Sequence, residues 1–185
     1  MVSAQDRLRD LLLARSVRRG DFVLASGRRS TFYIDARATT MSGEGLVLIG
    51  ALGLDHLGAR GWHPRLVGGL TLGADPVAYA MAVAAQQRGA PLPLDAFTVR
   101  KQAKDHGTGK RIEGTAVRDA TVVVVEDVVT TGHSALDAIR AVEAEGGRVL
   151  GVLAVVDREE GGRAALESAG YAVEALLTAT ELGLH

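Results

Sequence analysis

The chain has 185 residues, with 21 Lys+Arg against 22 Asp+Glu and a formal net charge of −1. That length supports one domain with a sizeable core, and that balance excludes a protein held on nucleic acid mainly by bulk positive charge. With no cysteine, a disulfide scaffold, a thiolate zinc site and a cysteine nucleophile are excluded. One feature lies beneath the totals: the only lysines are Lys101, Lys104 and Lys110, all within ten residues. The longest apolar run, Val77–Ala85, is about half the roughly 18 residues of a membrane helix. The N-terminus leads into a charged amphipathic pattern rather than an apolar signal core. The expectation is a soluble, cytoplasmic protein with no membrane and no nucleic-acid partner.

In chain order, Leu8, Leu11 and Leu12 predict an amphipathic helix over Gln5–Val17, stopped by Gly20. Phe22–Ala25 and Thr31–Asp35 predict two short strands around a polar turn. Ser42 is placed to cap a helix reaching about Arg60, and Leu66–Gly69 reads as a short buried strand. Asp75-Pro76 predicts a helix start, with Asp as cap and Pro at the first position, running to about Arg88. Ala96–Val99 is a strand, Arg100–Gly114 a polar glycine-containing loop, and Thr121–Val125 an apolar β-branched strand of the kind buried on both faces of a parallel sheet. A helix over about Ser134–Glu145 and a strand over Val149–Val156 follow. Glu160–Ser168, Val173–Leu176 and Glu181–Leu184 complete the chain. Alternating strand and helix predict an α/β fold with a mainly parallel sheet flanked by helices. The first 40 or so residues fall outside that alternation, as an added helix and hairpin capping the sheet's working edge. No repeat or linker interrupts the chain, so one domain over 1–185 is expected.

Three segments carry chemistry. In Val122–Ser134, an apolar strand ends in Glu126 and Asp127, then Thr130, Thr131, Gly132, His133 and Ser134 form a turn that opens a helix. Ligands of open parallel sheets bind at the strands' carboxyl ends. The turn's N–H groups, hydroxyls and helix N-terminus suit a phosphate dianion. The two acids suit sugar hydroxyls or magnesium-bound water. The second segment, Arg100–Arg111, gathers five cationic residues and two glycines, with His106 available as a sixth cation at lower pH. A mobile cationic loop is suited to closing over a polyanion and excluding water. The third, Val67–Pro76, ends a strand in glycines and runs through Thr71 and Leu72 into a helix start. That turn serves backbone approach to an anion or plain packing equally well.

Taken together, these segments resemble the type I phosphoribosyltransferases. The Glu126-Asp127 segment resembles that family's phosphoribosyl pyrophosphate motif. The resemblance implies that the acids contact the ribose hydroxyls and that Thr130, Thr131, Gly132, His133 and Ser134 hold the 5′-phosphate. Arg100-Lys101-x-x-Lys104-x-His106-Gly107 resembles the catalytic loop of the orotate branch. This implies catalytic roles for Arg100, Lys101, Lys104 and His106 toward pyrophosphate, in a loop shared across a homodimer. Thr71 and Leu72 lie in a segment resembling the family's pyrophosphate loop, although the lysine that many members carry there is missing. Phe22–Asp35 resembles the orotate branch's N-terminal hood. A flat pyrimidine needs an apolar wall, and Phe32 or Tyr33 serves as that wall or as core packing. Asp157-Arg158-Glu159-Glu160 resembles the turn whose arginine pairs with orotate, so Arg158 anchors the substrate or else forms an ion pair with Glu159 or Glu160. Thr130 is also assigned to the orotate side. Ala25 stands where several orotate enzymes carry a lysine.

The resemblance covers nearly the whole chain in order. It implies a type I phosphoribosyltransferase fold with a hood over about 1–40 and a mobile loop over about 100–114. The implied reaction joins orotate to 5-phosphoribosyl 1-pyrophosphate, giving orotidine 5′-monophosphate and pyrophosphate. Mg2+ would be bound through substrate and water rather than by direct protein ligands. The alternatives are a phosphoribosyltransferase for another nucleobase and a regulator on the same fold.

Overall fold

A computed structural model describes residues 2–23, 29–89, 93–102 and 111–184. The centre is a six-stranded sheet in the order β5-β4-β3-β6-β7-β8. Its strands are β3 (Leu66–Leu70), β4 (Asp95–Val99), β5 (Ile112–Gly114), β6 (Thr121–Val129), β7 (Arg148–Asp157) and β8 (Val173–Thr178). Every neighbouring pair is parallel except β4–β5, which is antiparallel. A separate antiparallel pair, β1 (Val17–Val23) and β2 (Arg29–Ile34), precedes the sheet. The α/β expectation with a mainly parallel sheet is therefore met.

Burial explains the central strand. Val122, Val123, Val124 and Val125 are all fully buried. Val123 and Val125 join the core beside α1 (Ala4–Arg15), α3 (Gly43–Ala59) and α4 (Ala74–Gln87). Val122 and Val124 join the core beside α5 (His133–Ala144) and α6 (Gly162–Ser168). Side chains alternate between faces along a strand, so a strand covered by helices on both faces must be apolar at every position.

Several predicted boundaries are corrected. α1 ends at Arg15, and Gly20 lies inside β1 rather than at a helix stop. Ser42 caps α3 as expected, its Oγ accepting the Gly45 N–H at 3.1 Å. Asp75 does not cap α4: the cap position is Gly73, which makes no side-chain cap bond, and Asp75 lies in the first turn. The short helix α2 (Arg37–Thr40) was not foreseen, and β5 occupies the end of the expected 100–114 loop. Among the described residues, no helix is long and apolar enough to cross a membrane.

Candidate active site

The loops leaving the carboxyl ends of β3, β6 and β7 converge with the residues after β2 around an open cleft of about 500 Å³. From β3 come Thr71 and Leu72; from β6, Glu126, Asp127, Thr130 and Ser134; from β7, Arg158; from β2 and beyond, Tyr33, Asp35 and Arg37. Lys101 also lines it. Adjacent parallel strands point their carboxyl ends the same way, which is why residues distant in sequence meet here.

The acids lie deep in this cleft. Glu126 is buried and its Oε1 has no hydrogen-bond partner. Burial, reinforced by the neighbouring Asp127 charge, pushes its pKa up to about 8. Burial also raises Asp127, against the opposing effect of the Val128 N–H, which donates to its Oδ1 at 2.8 Å. Asp127 presses against the β3 loop: a Cβ at Gly73 would stand 2.5 Å from its Oδ1. Any larger residue there would force Asp127 or the loop to shift.

Beyond Val129 the chain turns at Gly132, which takes φ +78° and leads into α5. A Cβ there would meet the Gly162 carbonyl at 3.0 Å in a backbone conformation that side chains disfavour. Thr130, Thr131, Gly132, His133 and Ser134 line a notch of about 30 Å³. No side chain caps α5, so its first N–H groups remain available to an anion.

Arg158 extends the ladder past β7, its N–H donating to the Val129 carbonyl at 2.9 Å. The buried Asp157 shapes this turn by accepting the Glu159 N–H and Arg163 Nε, each at 2.9 Å. The Arg158 side chain is only 6% exposed. Its Nη2 lies 2.7 Å from Glu160 Oε1, while Nε and Nη2 make no directed hydrogen bond. This is close charge pairing with donor capacity to spare. Phe32 packs in the core and does not line the cleft; its ring lies against this guanidinium instead. Tyr33 is exposed, lines the cleft and packs on Phe22, with ring centroids 5.8 Å apart.

Arg100 is not among the residues lining the cleft. Its Nη1 lies 3.4 Å from Glu113 Oε1, and its N–H donates to the Arg111 carbonyl. The expectations at Lys104, His106 and Ala25 lie outside the described residues. Sequence reasoning missed Asp35 and Arg37. Arg37 grips Asp35 through Nε at 2.8 Å and Nη2 at 3.1 Å, lowering the Asp35 carboxyl and raising its own guanidinium. The available signal was an acid and a cation two residues apart, directly after the hood aromatics.

Residues 48–169 match the phosphoribosyl transferase domain family. The orotate phosphoribosyltransferase of Mycobacterium avium is 45% identical over 179 residues, covering 97% of this chain and 96% of that one. The chain belongs to the orotate phosphoribosyltransferase family. Solved structures of this family agree with its fold. The Mycobacterium tuberculosis orotate phosphoribosyltransferase in complex with Fe(III) dicitrate has a TM-score of 0.86 at 43% identity, covering 98% of this chain and 100% of that one. The same enzyme in complex with 5-phospho-α-D-ribosyl 1-diphosphate gives 0.83 at 41% identity, with the same coverage of each chain. The fold is that of a type I phosphoribosyltransferase.

Proposed function

We propose that this chain is an orotate phosphoribosyltransferase, joining orotate to 5-phosphoribosyl 1-pyrophosphate with release of pyrophosphate. One observation carries the reading. A single cleft gathers a phosphate-type turn, a buried acid beside a half-buried one, a lysine from the lysine-rich segment and a buried arginine against an aromatic ring. Nearly full-length similarity to named orotate phosphoribosyltransferases supports it.

Each residue then has a task. Orotate's carboxylate docks on the Arg158 guanidinium, which Phe32 backs, and Tyr33 walls the ring, with Thr130 beside it. The Thr130–Ser134 turn and the α5 N-terminus hold the 5′-phosphate. Glu126 and Asp127 accept the ribose hydroxyls. Thr71, Leu72 and Lys101 face the pyrophosphate, with Lys104 and His106 assigned to the same end from sequence. Orotate N1 bonds to the anomeric carbon as the carbon–oxygen bond to pyrophosphate breaks, and the acidic N1 proton leaves to solvent. Fixed cations in a dry site stabilise charge developing on that leaving group. The unpartnered Glu126 Oε1 and the Asp127 carboxylate are hard oxygen acceptors, suited to water on a hydrated magnesium ion. A magnesium ion carried by the substrate would neutralise charge on pyrophosphate at this end of the cleft.

We further read the protein as a cytoplasmic homodimer. The apolar groove between α3 and α4, about 350 Å³ and edged by exposed Val47, Tyr79 and Val83, supports a second copy as its occupant. Sedimentation equilibrium tests this: a dimer is expected, and a Val83→Glu variant should sediment as a monomer. The catalytic reading is tested by competition among orotate, uracil, adenine and hypoxanthine. Orotate alone should be consumed; use of a purine base instead would overturn the reading.

A further inference from the structure

Beneath the β3 loop lies a chain of hydrogen bonds that the catalytic assignment leaves unused. Thr71 Oγ1 donates to Asp75 Oδ2 at 2.7 Å, and Thr98 Oγ1 donates to Asp75 Oδ1 at 2.8 Å. Tyr79 Oη lies 3.1 Å from Thr98 Oγ1. The directions follow from chemistry. A carboxylate only accepts, so both threonine protons point at Asp75. Thr98 has then spent its single proton, so Tyr79 must donate to Thr98. The order is Tyr79 to Thr98 to Asp75, with Thr71 arriving from the other side.

The consequence falls on the cleft. Thr71 lines it, and its hydroxyl proton is already committed to Asp75. Toward a ligand, Thr71 Oγ1 therefore offers lone pairs and no proton. Phosphate oxygens, which need donors, gain nothing from it. Asp75 also places a negative charge in the first turn of α4, where an anion would otherwise be favoured. On the other side of the loop stands the Asp127 carboxylate, against Gly73.

We propose that Asp75 is a positioning residue that holds Thr71 Oγ1 as a hydrogen-bond acceptor, so that at the pyrophosphate end of the cleft this side chain receives an O–H donor and leaves the phosphate oxygens to other groups such as Lys101. The donor is a ribose hydroxyl or magnesium-bound water. The inference rests on the phosphoribosyl pyrophosphate reading of the cleft. Thr98 fixes Asp75 from beneath and the backbone assists, since the Thr71 N–H donates to the Val99 carbonyl at 2.9 Å.

The test measures binding by calorimetry, with ribose 5-phosphate and with magnesium pyrophosphate as separate probes. The variants are Asp75→Asn, Thr98→Val and Thr98→Ser. The Asn amide must present a donor to one of the two hydroxyls, so it breaks the pattern while conserving shape. Asp75→Asn is expected to weaken at least one probe about tenfold, in line with the loss of a charge-assisted hydrogen bond. A shift confined to ribose 5-phosphate identifies the sugar hydroxyls as the donors; one confined to magnesium pyrophosphate identifies metal-bound water. Thr98→Val should weaken the same probe, and Thr98→Ser should restore it. In steady state the KM for phosphoribosyl pyrophosphate should rise while that for orotate stays within about twofold. If both variants melt like the wild type and bind both probes as tightly, the network has no positioning role. If the wild type itself binds neither probe, the substrate reading fails, and the inference fails with it.

Discussion

The guanidinium carbon of Arg158 sits 4.9 Å from the centroid of the Phe32 ring. One residue follows the end of β7 and the other lies in the added β1–β2 pair, so this contact ties that pair to the carboxyl end of the parallel sheet. A desolvated cation over an aromatic face gains about 2 kcal/mol. It also fixes the guanidinium plane, which determines where a bidentate carboxylate can dock.

Replacing Arg158 with lysine keeps the charge and loses the planar fork. Orotate KM should rise about 30-fold to 100-fold, matching a loss of about 2–3 kcal/mol, while the KM for phosphoribosyl pyrophosphate holds. Phe32→Leu preserves apolar volume and should raise orotate KM about fivefold to tenfold. Steady-state kinetics with each substrate varied in turn checks both. A parallel rise of both KM values would show general damage to the fold instead.

Glu126 makes the cleft sensitive to pH. Its pKa in the folded protein is raised from 4.5 to about 8, chiefly by burial. A raised carboxyl gives stability that is complete below the unfolded value and is lost as pH climbs to the folded one. The substrate-free protein should therefore lose stability as pH rises from about 4.5 to about 8, with a slope of at most about 1.4 kcal/mol per pH unit. Glu126→Gln should flatten that slope in urea denaturation. If Glu126 accepts ribose hydroxyls as a carboxylate, substrate binding near pH 7 should release a proton. Calorimetry in two buffers of different ionisation heat measures that release, and Glu126→Gln should abolish most of it.

Gly73→Ala probes the packing between the two loops. The new Cβ would lie 2.5 Å from Asp127 Oδ1, so Asp127 or the loop must move. The backbone at Gly73 has φ −60°, which alanine adopts without strain, so any effect is steric. Affinity for phosphoribosyl pyrophosphate should fall at least tenfold, with orotate binding less affected. Equilibrium binding of each substrate checks this.

Arg111 joins the lysine-bearing segment to α5. Its Nη1 and Nη2 donate to the two Asp137 oxygens at 3.0 and 2.7 Å, and its Nε donates to the Arg100 carbonyl at 3.0 Å. The paired hydrogen bonds hold the Asp137 carboxyl below its ordinary value. Asp137→Asn should cost about 1 kcal/mol in urea denaturation, since the pair is bidentate but partly exposed. That contribution should be present above the ordinary aspartate range and disappear as pH falls through the depressed value.

The α/β alternation was readable because β3, β6 and β7 are buried, and burial on both faces demands unbroken apolar runs. The elements that escaped prediction lack that pressure. Of β1, only the end at Phe22 and Val23 was expected as strand; its start, Val-Arg-Arg-Gly-Asp, is mostly exposed, so no apolar period marks it. β5 has three residues, too few for any period. β6 continues to Val129 although the apolar run stops at Val125, because Glu126, Val128 and Val129 still pair with Ala154, Val156 and Asp157 of β7. Those acids interrupt the pattern where the strand meets the cleft. The chemistry-bearing motifs were visible as local strings. The Asp75–Thr98–Tyr79 link was not, because three-dimensional packing brings Asp75 to Thr98 across 23 positions.

The most direct test is to follow orotate absorbance after adding phosphoribosyl pyrophosphate and Mg2+ to the folded protein. The absorbance should fall in proportion to enzyme concentration, with one pyrophosphate released for each orotate consumed. Unchanged absorbance from protein that remains folded would contradict the assignment.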